Sequence, residues 1–181
     1  SRSLAAAEMV HEAGYRGRRD PQDLVLIDVD QDIEFFFLRP RDIAVYVGSG
    51  TLDGGITGRD LLLDSGAAAV ESMSLGFAAS TFRFAAKPGV AKCVNDIQGK
   101  RVATSYAGLV SAYLAEHCVE ADVVRLDGAV ETAITLGVAD VIADVVETGT
   151  TLRQQGLEVF GDPILRSGAV LIQRSDALVQ G

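Results

Sequence analysis

A chain of 181 residues with 48% hydrophobic residues, 16 Lys+Arg against 25 Asp+Glu and a mean hydropathy of +0.23 can bury a core, in one domain or two small lobes. The formal charge of −9 repels nucleic acid and anionic membrane as a bulk field, so an anionic ligand requires a local site. Cys93 and Cys118 lie far apart and outside any metal-ligand spacing, as do His11 and His117 from each other, which argues against a zinc site or disulfide framework and fits a reducing cytoplasm.

Ser1 is not an initiator methionine, and the true N-terminus is expected elsewhere. The stretch SLAAAEMVHEAG (3–14) predicts a helix, capped by Ser3 and stopped by Gly14. LVLID (24–28) and IEFFFL (33–38) follow as strands joined by a polar turn, a hairpin pattern. PRDIAVYVGSG (40–50) then has a helix's punctuation, with proline at its start and glycines at its end. GGIT predicts a brief strand, GRDLLLDSG a short helix, and VESMSLGF and STFRFAAKP two strands. From residue 100 the pattern alternates more regularly: KRVATS strand, AGLVSAYLAEHC helix, ADVVRLD strand, AVETAITLG helix, ADVIADVV strand, GTTLRQQG helix. LEVFG and AVLIQR close the chain as strands.

Such alternation predicts an α/β fold with parallel sheets flanked by helices. Residues 80–164 hold enough units for a lobe of their own, and 1–79 with 165–181 form the other. Two chain crossings would then leave a ligand cleft between lobes. No apolar run approaches the roughly 18 residues of a membrane span, and no charged-then-apolar leader is present, so neither a membrane nor export is expected.

The most informative stretch is DVVETGTTL (144–152). Between a predicted strand and helix, Thr148, Gly149, Thr150 and Thr151 form a turn whose backbone N–H groups lack partners, the kind of place that binds anions. The threonines add hydroxyl donors, and Gly149 lets a phosphate approach closely. Asp144, just before, could accept hydrogen bonds from sugar hydroxyls or hold a metal through water. Spacing alone favours Thr148 as an ordinary helix cap, and the stretch is neither a Walker loop nor a GxGxxG fingerprint.

Three further places offer candidates. Arg39, Arg41 and Arg59 lie at element edges, where a guanidinium can grip phosphate oxygens, and Asp60 follows a glycine-rich turn; solvated charges and a simple cap are the alternatives. In ATSYAGL, Ser105 is expected to cap the following helix, while Tyr106 could stack on a base or sit half-buried on a lobe. In LDGAVETA, Glu131 is expected in the first turn of a helix, where the macrodipole alone favours it.

Taken in order, EFFFLRPRDIAVYVGSGTLDGGITGRDLLLDSG, GKRVATSY, RLDGAVETAITLGVADVIADVVETGTTL and AVLIQR closely resemble the catalytic lobes of ATP phosphoribosyltransferase, most of all its long, actinobacterial-type members. The resemblance runs from about residue 8 to 174. It implies a two-lobed fold like type II periplasmic binding proteins, with mixed sheets. It also implies a reaction in which N1 of ATP attacks C1 of phosphoribosyl diphosphate and pyrophosphate leaves with Mg²⁺ assistance. Thr148, Gly149, Thr150, Thr151 and Leu152 would then cradle the 5-phosphate. Asp144 and Glu131 would contact the ribose hydroxyls or stabilise its developing positive charge. Arg39 and Arg59 would face diphosphate or triphosphate oxygens, and Asp60, Leu61, Ser105 and Tyr106 would border the nucleotide pocket. The Mg²⁺ would be held mainly by substrate phosphates.

Family members begin with a strand and a basic loop ahead of the first helix. Long members continue into a further helix and a small domain that binds histidine as feedback inhibitor. Neither segment is expected within these 181 residues, so histidine inhibition is expected only if that C-terminal domain is present. A cytoplasmic homo-oligomer is the implied assembly. The competing functions are a non-catalytic solute-binding protein and a regulatory subunit of the same two-lobed fold.

Overall fold

A computed structural model describes residues 31–175 and the backbone of the strand Val25–Asp28. The helix expected over 3–14 lies outside the described residues. The chain divides into two compact units. One is drawn from the segments up to Leu62, Ala67–Ala78 and from Ala169 onward; the other is Leu63–Gly66 with Ala79–Gly168.

In the first unit, β1 (Val25–Asp28) and β2 (Ile33–Phe36) form the expected hairpin, paired antiparallel from Val25↔Phe36 to Asp28↔Ile33. Asp32 turns it at φ +53, a conformation that aspartate tolerates better than most residues. Helix α1 (Pro40–Gly48) starts with proline in its first turn, where the missing N–H costs no hydrogen bond, and buries Ala44 and Val47. β3 (Gly54–Gly58) runs under it. A Cβ on Gly55 would come within 2.5 Å of Ile43 Cγ2, so glycine is what lets helix and strand approach. Helix α2 (Arg59–Ser65) follows without a loop, then β4 (Ala69–Ser74).

The sheet order is β3-β10-β4, with β10 (Ala169–Arg174) antiparallel to both neighbours. This corrects the expectation of parallel pairing. β3 and β4 do run the same way, but a strand from the far end of the chain separates them. Ala44, Val47, Leu62, Val170 and Ile172 form the core of this unit.

The second unit is built on a five-stranded sheet of order β7-β6-β8-β5-β9. Its strands are β5 (Ser80–Ala86), β6 (Arg101–Thr104), β7 (Asp122–Arg125), β8 (Val141–Val146) and β9 (Glu158–Ser167). Parallel pairing is confined to β6 with β7 and β8; β5 is antiparallel to β8 and β9. Helix α3 (Ala107–Glu116) links β6 to β7, α4 (Thr132–Thr135) precedes β8, and α5 (Thr150–Gln154) follows it.

Alternation along β8 sorts the core. Val141 and Ala143 join Phe82, Phe84, Val102, Leu109 and Val110 on the face covered by α3. Ile142 joins Ala103, Ala133, Ile134 and Leu152 on the face covered by α4 and α5. Two boundaries differ from those expected. α4 is only four residues long, because Gly128 (φ +78) and Ala129 (φ +48) take left-handed backbone and no helix can start through them. β9 continues past Pro163, which an edge strand admits because it needs no donor there.

Candidate active site

Because β6, β7 and β8 are parallel, the segments after Thr104, Arg125 and Val146 leave along one edge of the sheet. β6 and β8 are neighbours, yet the chain after β6 leads outward to β7, and the chain after β8 leads the other way, to β9 beyond β5. Such a reversal opens a crevice outside the carboxyl ends of the strands, where open α/β sheets hold their ligands.

The segment after β8 contributes a helix start at a glycine. Gly149 is the N-cap of α5, sits at φ +75 and has no side chain of its own with which to cap that end. Thr148 precedes that N-cap by one residue. Its hydroxyl lies 3.1 Å from that of Thr150 and only 3.5 Å from the Thr150 N–H. Thr148, Thr150 and Thr151 are exposed, while Leu152 is buried and anchors the helix in the core. Asp144, half-buried, alternates with Ile142 and so lies on the face that carries α4 and α5. One of its oxygens accepts the Val145 N–H at 2.8 Å.

After β6, Ser105 does not cap α3, contrary to expectation. Its Oγ instead accepts the Gly128 N–H at 2.9 Å, tying the turn before α4 to the end of β6. The N–H of Leu109, in the first turn of α3, is taken by the Asp64 carboxylate at 3.0 Å. Gly108 permits this contact, since a Cβ there would lie 2.5 Å from the Asp64 carbonyl oxygen. Asp64 arrives from 45 residues away in sequence, so local spacing could not reveal it. Tyr106, half-buried, sets its ring edge-on to Phe82, with centroids 4.9 Å apart. Glu131 is the N-cap of α4 rather than part of its first turn, and is half-buried. It follows the turn that Ser105 holds.

Two residues not singled out by sequence also border this region. Arg153 turns back one helical turn, its Nη2 3.4 Å from the Thr150 hydroxyl, and its position in TGTTLR was a readable signal. Arg83 stands opposite Asp144 in the β5–β8 register, on the same face, and donates to the Gly161 carbonyl at 2.8 Å. That register is non-local and left no trace in the sequence.

In the first unit, Arg39 is the exposed N-cap of α1 and holds an extended backbone. Arg59, the first residue of α2, makes a two-pronged ion pair with Glu71, at 2.8 Å from Nε and 2.7 Å from Nη2. The hydrogen bonds raise the Arg59 pKa and hold the Glu71 carboxyl below its usual range. Asp60 is completely buried, one oxygen accepting the Leu61 N–H at 3.0 Å, and Leu61 is buried beside it.

Comparison with known proteins bears on these features. A sequence profile described as "HisG: ATP phosphoribosyltransferase" matches residues 39–180. An ATP phosphoribosyltransferase of Streptomyces coelicolor is 65% identical over 177 residues, covering 98% of this chain and 62% of that relative. The chain thus spans less than two thirds of the length of such curated relatives. Among solved structures, the ATP phosphoribosyl transferase (HisG:HisZ) complex of Thermotoga maritima gives a TM-score of 0.82 at 24% identity, over 98% of this chain and 85% of that one. The GluR0 ligand-binding core of Nostoc punctiforme gives 0.51 at 18%, over 73% and 63%. These two likenesses concern the fold, the two-unit α/β architecture of the periplasmic-binding type.

Proposed function

The chain belongs to the ATP phosphoribosyltransferase (HisG) family, and from that membership and the geometry of residues 144–152 we propose that it carries the catalytic chemistry of that transferase. N1 of the ATP adenine attacks C1 of phosphoribosyl diphosphate, the bond from C1 to the diphosphate oxygen breaks, and pyrophosphate leaves. This is the first step of histidine biosynthesis, carried out in the cytoplasm.

The observation that supports it most is the left-handed glycine start of α5 at Gly149, with exposed threonine hydroxyls on either side and Asp144 in the strand that leads to it. The N–H groups of the first turn and the hydroxyls of Thr148, Thr150 and Thr151 bind the 5-phosphate. Leu152 fixes the turn from within the core. Asp144 and Glu131 take the ribose hydroxyls and offset the positive charge that builds at C1 as the leaving group departs. Ser105 positions Glu131 by holding the turn before it, and Tyr106 offers its ring to the nucleotide. Arg39 and Arg59 bind phosphate oxygens; Asp60 and Leu61, both buried, shape the base of that part of the site.

Mg²⁺ arrives with the diphosphate of the substrate, whose oxygens suit its demand for hard ligands. No covalent nucleophile is needed: alignment of two substrates and assisted departure of the leaving group supply the rate. The same reading includes a homo-oligomeric enzyme, with histidine as feedback inhibitor if the full-length protein carries the segment that binds it.

The test is direct. Full-length protein supplied with ATP, phosphoribosyl diphosphate and Mg²⁺ should accumulate phosphoribosyl-ATP, identified by mass spectrometry. Folded full-length protein that forms none refutes the reading.

A further inference from the structure

The first unit contains an ion pair whose geometry repeats that of a bound anion. A guanidinium has one edge, Nε with Nη2, that meets two oxygens in parallel, and carboxylate and phosphate fit that edge equally well. At Arg59 the edge is taken by both oxygens of Glu71, at 2.8 and 2.7 Å.

Glu71 is delivered there by the sheet. It lies on β4, an edge strand, opposite Ile172 of β10. Directly opposed residues share a face, and Ile172 is packed with Leu62 of α2. Glu71 therefore projects from the strand edge toward the helix that Arg59 begins. Just beyond it the ladder slips: Met73 faces Leu171, Glu71 faces Ile172, and Ser72 between them has no ladder partner, its hydroxyl bonding the Leu171 carbonyl at 3.1 Å. Bulges of this kind sit at sheet edges and re-aim the neighbouring side chains.

The pair is open to solvent, with side-chain exposures of 27% and 30%. An ion pair so exposed adds little to stability, because water screens it and two long side chains must be held still. An incoming phosphate can reach it and carries more charge than the carboxylate.

We propose that Glu71 is a positioning residue that holds the two-pronged edge of Arg59 oriented in the absence of ligand and yields it to the phosphate oxygens of an anionic substrate. The proposal rests on Arg59 acting as a phosphate-binding residue. Glu71 then sets affinity by competition: every substrate bound at Arg59 must first displace an internal anion of similar shape.

The experiment uses the full-length protein and two variants, Arg59→Gln and Glu71→Gln, titrated calorimetrically with phosphoribosyl diphosphate and, separately, with ATP. Arg59→Gln should weaken at least one ligand. Glu71→Gln should bind that same ligand about three- to tenfold more tightly, since a neutral amide competes less well than a carboxylate. In steady state KM should fall with kcat unchanged. If Arg59→Gln weakens binding and Glu71→Gln leaves it unchanged or weaker, competition is overturned while the binding role of Arg59 stands. If Arg59→Gln binds both ligands as the wild type does, the reading of Arg59 itself fails. Should Glu71→Gln not fold, Glu71→Asp draws the carboxylate back by one methylene and should also tighten binding, by less; unchanged affinity there overturns the proposal.

Discussion

At the amino end of the parallel strands, Arg101 and Asp140 close on each other. The guanidinium donates to Asp140 at 3.2 Å and 3.0 Å and to the Gly137 carbonyl at 2.9 Å, and the Arg101 N–H reaches the same carboxylate at 3.0 Å. At the carboxyl end of the same strands, α5 begins at a glycine, and three threonines stand exposed around it. One end uses its charges to complete the protein's own hydrogen bonds. The other leaves donors turned outward. Water solvates exposed donors at a helix start, and an anion can take the place of that water.

The largest effect should come from Asp144→Asn. If the carboxylate offsets positive charge at the ribose, kcat should fall about 10²- to 10³-fold, while urea unfolding changes far less. Loss of stability in proportion to activity would make Asp144 a structural residue and blur the contrast between the two ends. Next is Thr151→Val, which keeps the branched shape and removes a donor. Affinity for phosphoribosyl diphosphate should fall by about 1 to 3 kcal/mol, the value of a charged hydrogen bond, measured by calorimetry. Unchanged affinity would leave the hydroxyls as mere helix-start chemistry.

How much of this was legible follows from where each signal lay. The hairpin, α1 and the β6-α3-β7 succession each carried local punctuation: a polar turn, Pro40 before an apolar stripe, short apolar runs between glycines. The loop proposed to hold the phosphate could be singled out for the same reason, since Thr148 to Leu152 are contiguous. What stayed hidden was non-local. β10 between β3 and β4, Asp64 on the first turn of α3 and Glu71 on Arg59 each join residues far apart in the chain. Ser105 illustrates the limit well. A serine between strand and helix satisfies every local rule for a cap, yet a distant aspartate satisfies that helix, and the serine is spent on the Gly128 turn.

A smaller effect is expected at Gly149. Its φ of +75 is left-handed, and an alanine there is strained by about 1 to 2 kcal/mol. The new Cβ would also sit 3.3 Å from Arg153 Nη1, a flexible side chain that can move aside. Gly149→Ala should therefore lower stability by roughly that amount in denaturant titration. A neutral or stabilising result would mean that the turn relaxes into ordinary helical backbone.

The smallest effect should come from the closed end, at Asp140→Asn. Hydrogen bonds from the Arg101 side chain, and then from its backbone N–H, hold the Asp140 carboxyl below the usual range. A group whose pKa is depressed on folding contributes stability above its unfolded value and loses it as the pH falls through the folded one. Wild-type stability should thus decline through and below the ordinary carboxylate range, about pH 4, and Asp140→Asn should lack that part of the decline. The pair is exposed, so the loss at neutral pH should be slight, smaller than that of Gly149→Ala. kcat/KM for both substrates should be unchanged, because Arg101 and Asp140 stand at the far end of the strands from Asp144 and Gly149. A catalytic defect in Asp140→Asn, with stability intact, would break the comparison: the closed end would then be part of the working site.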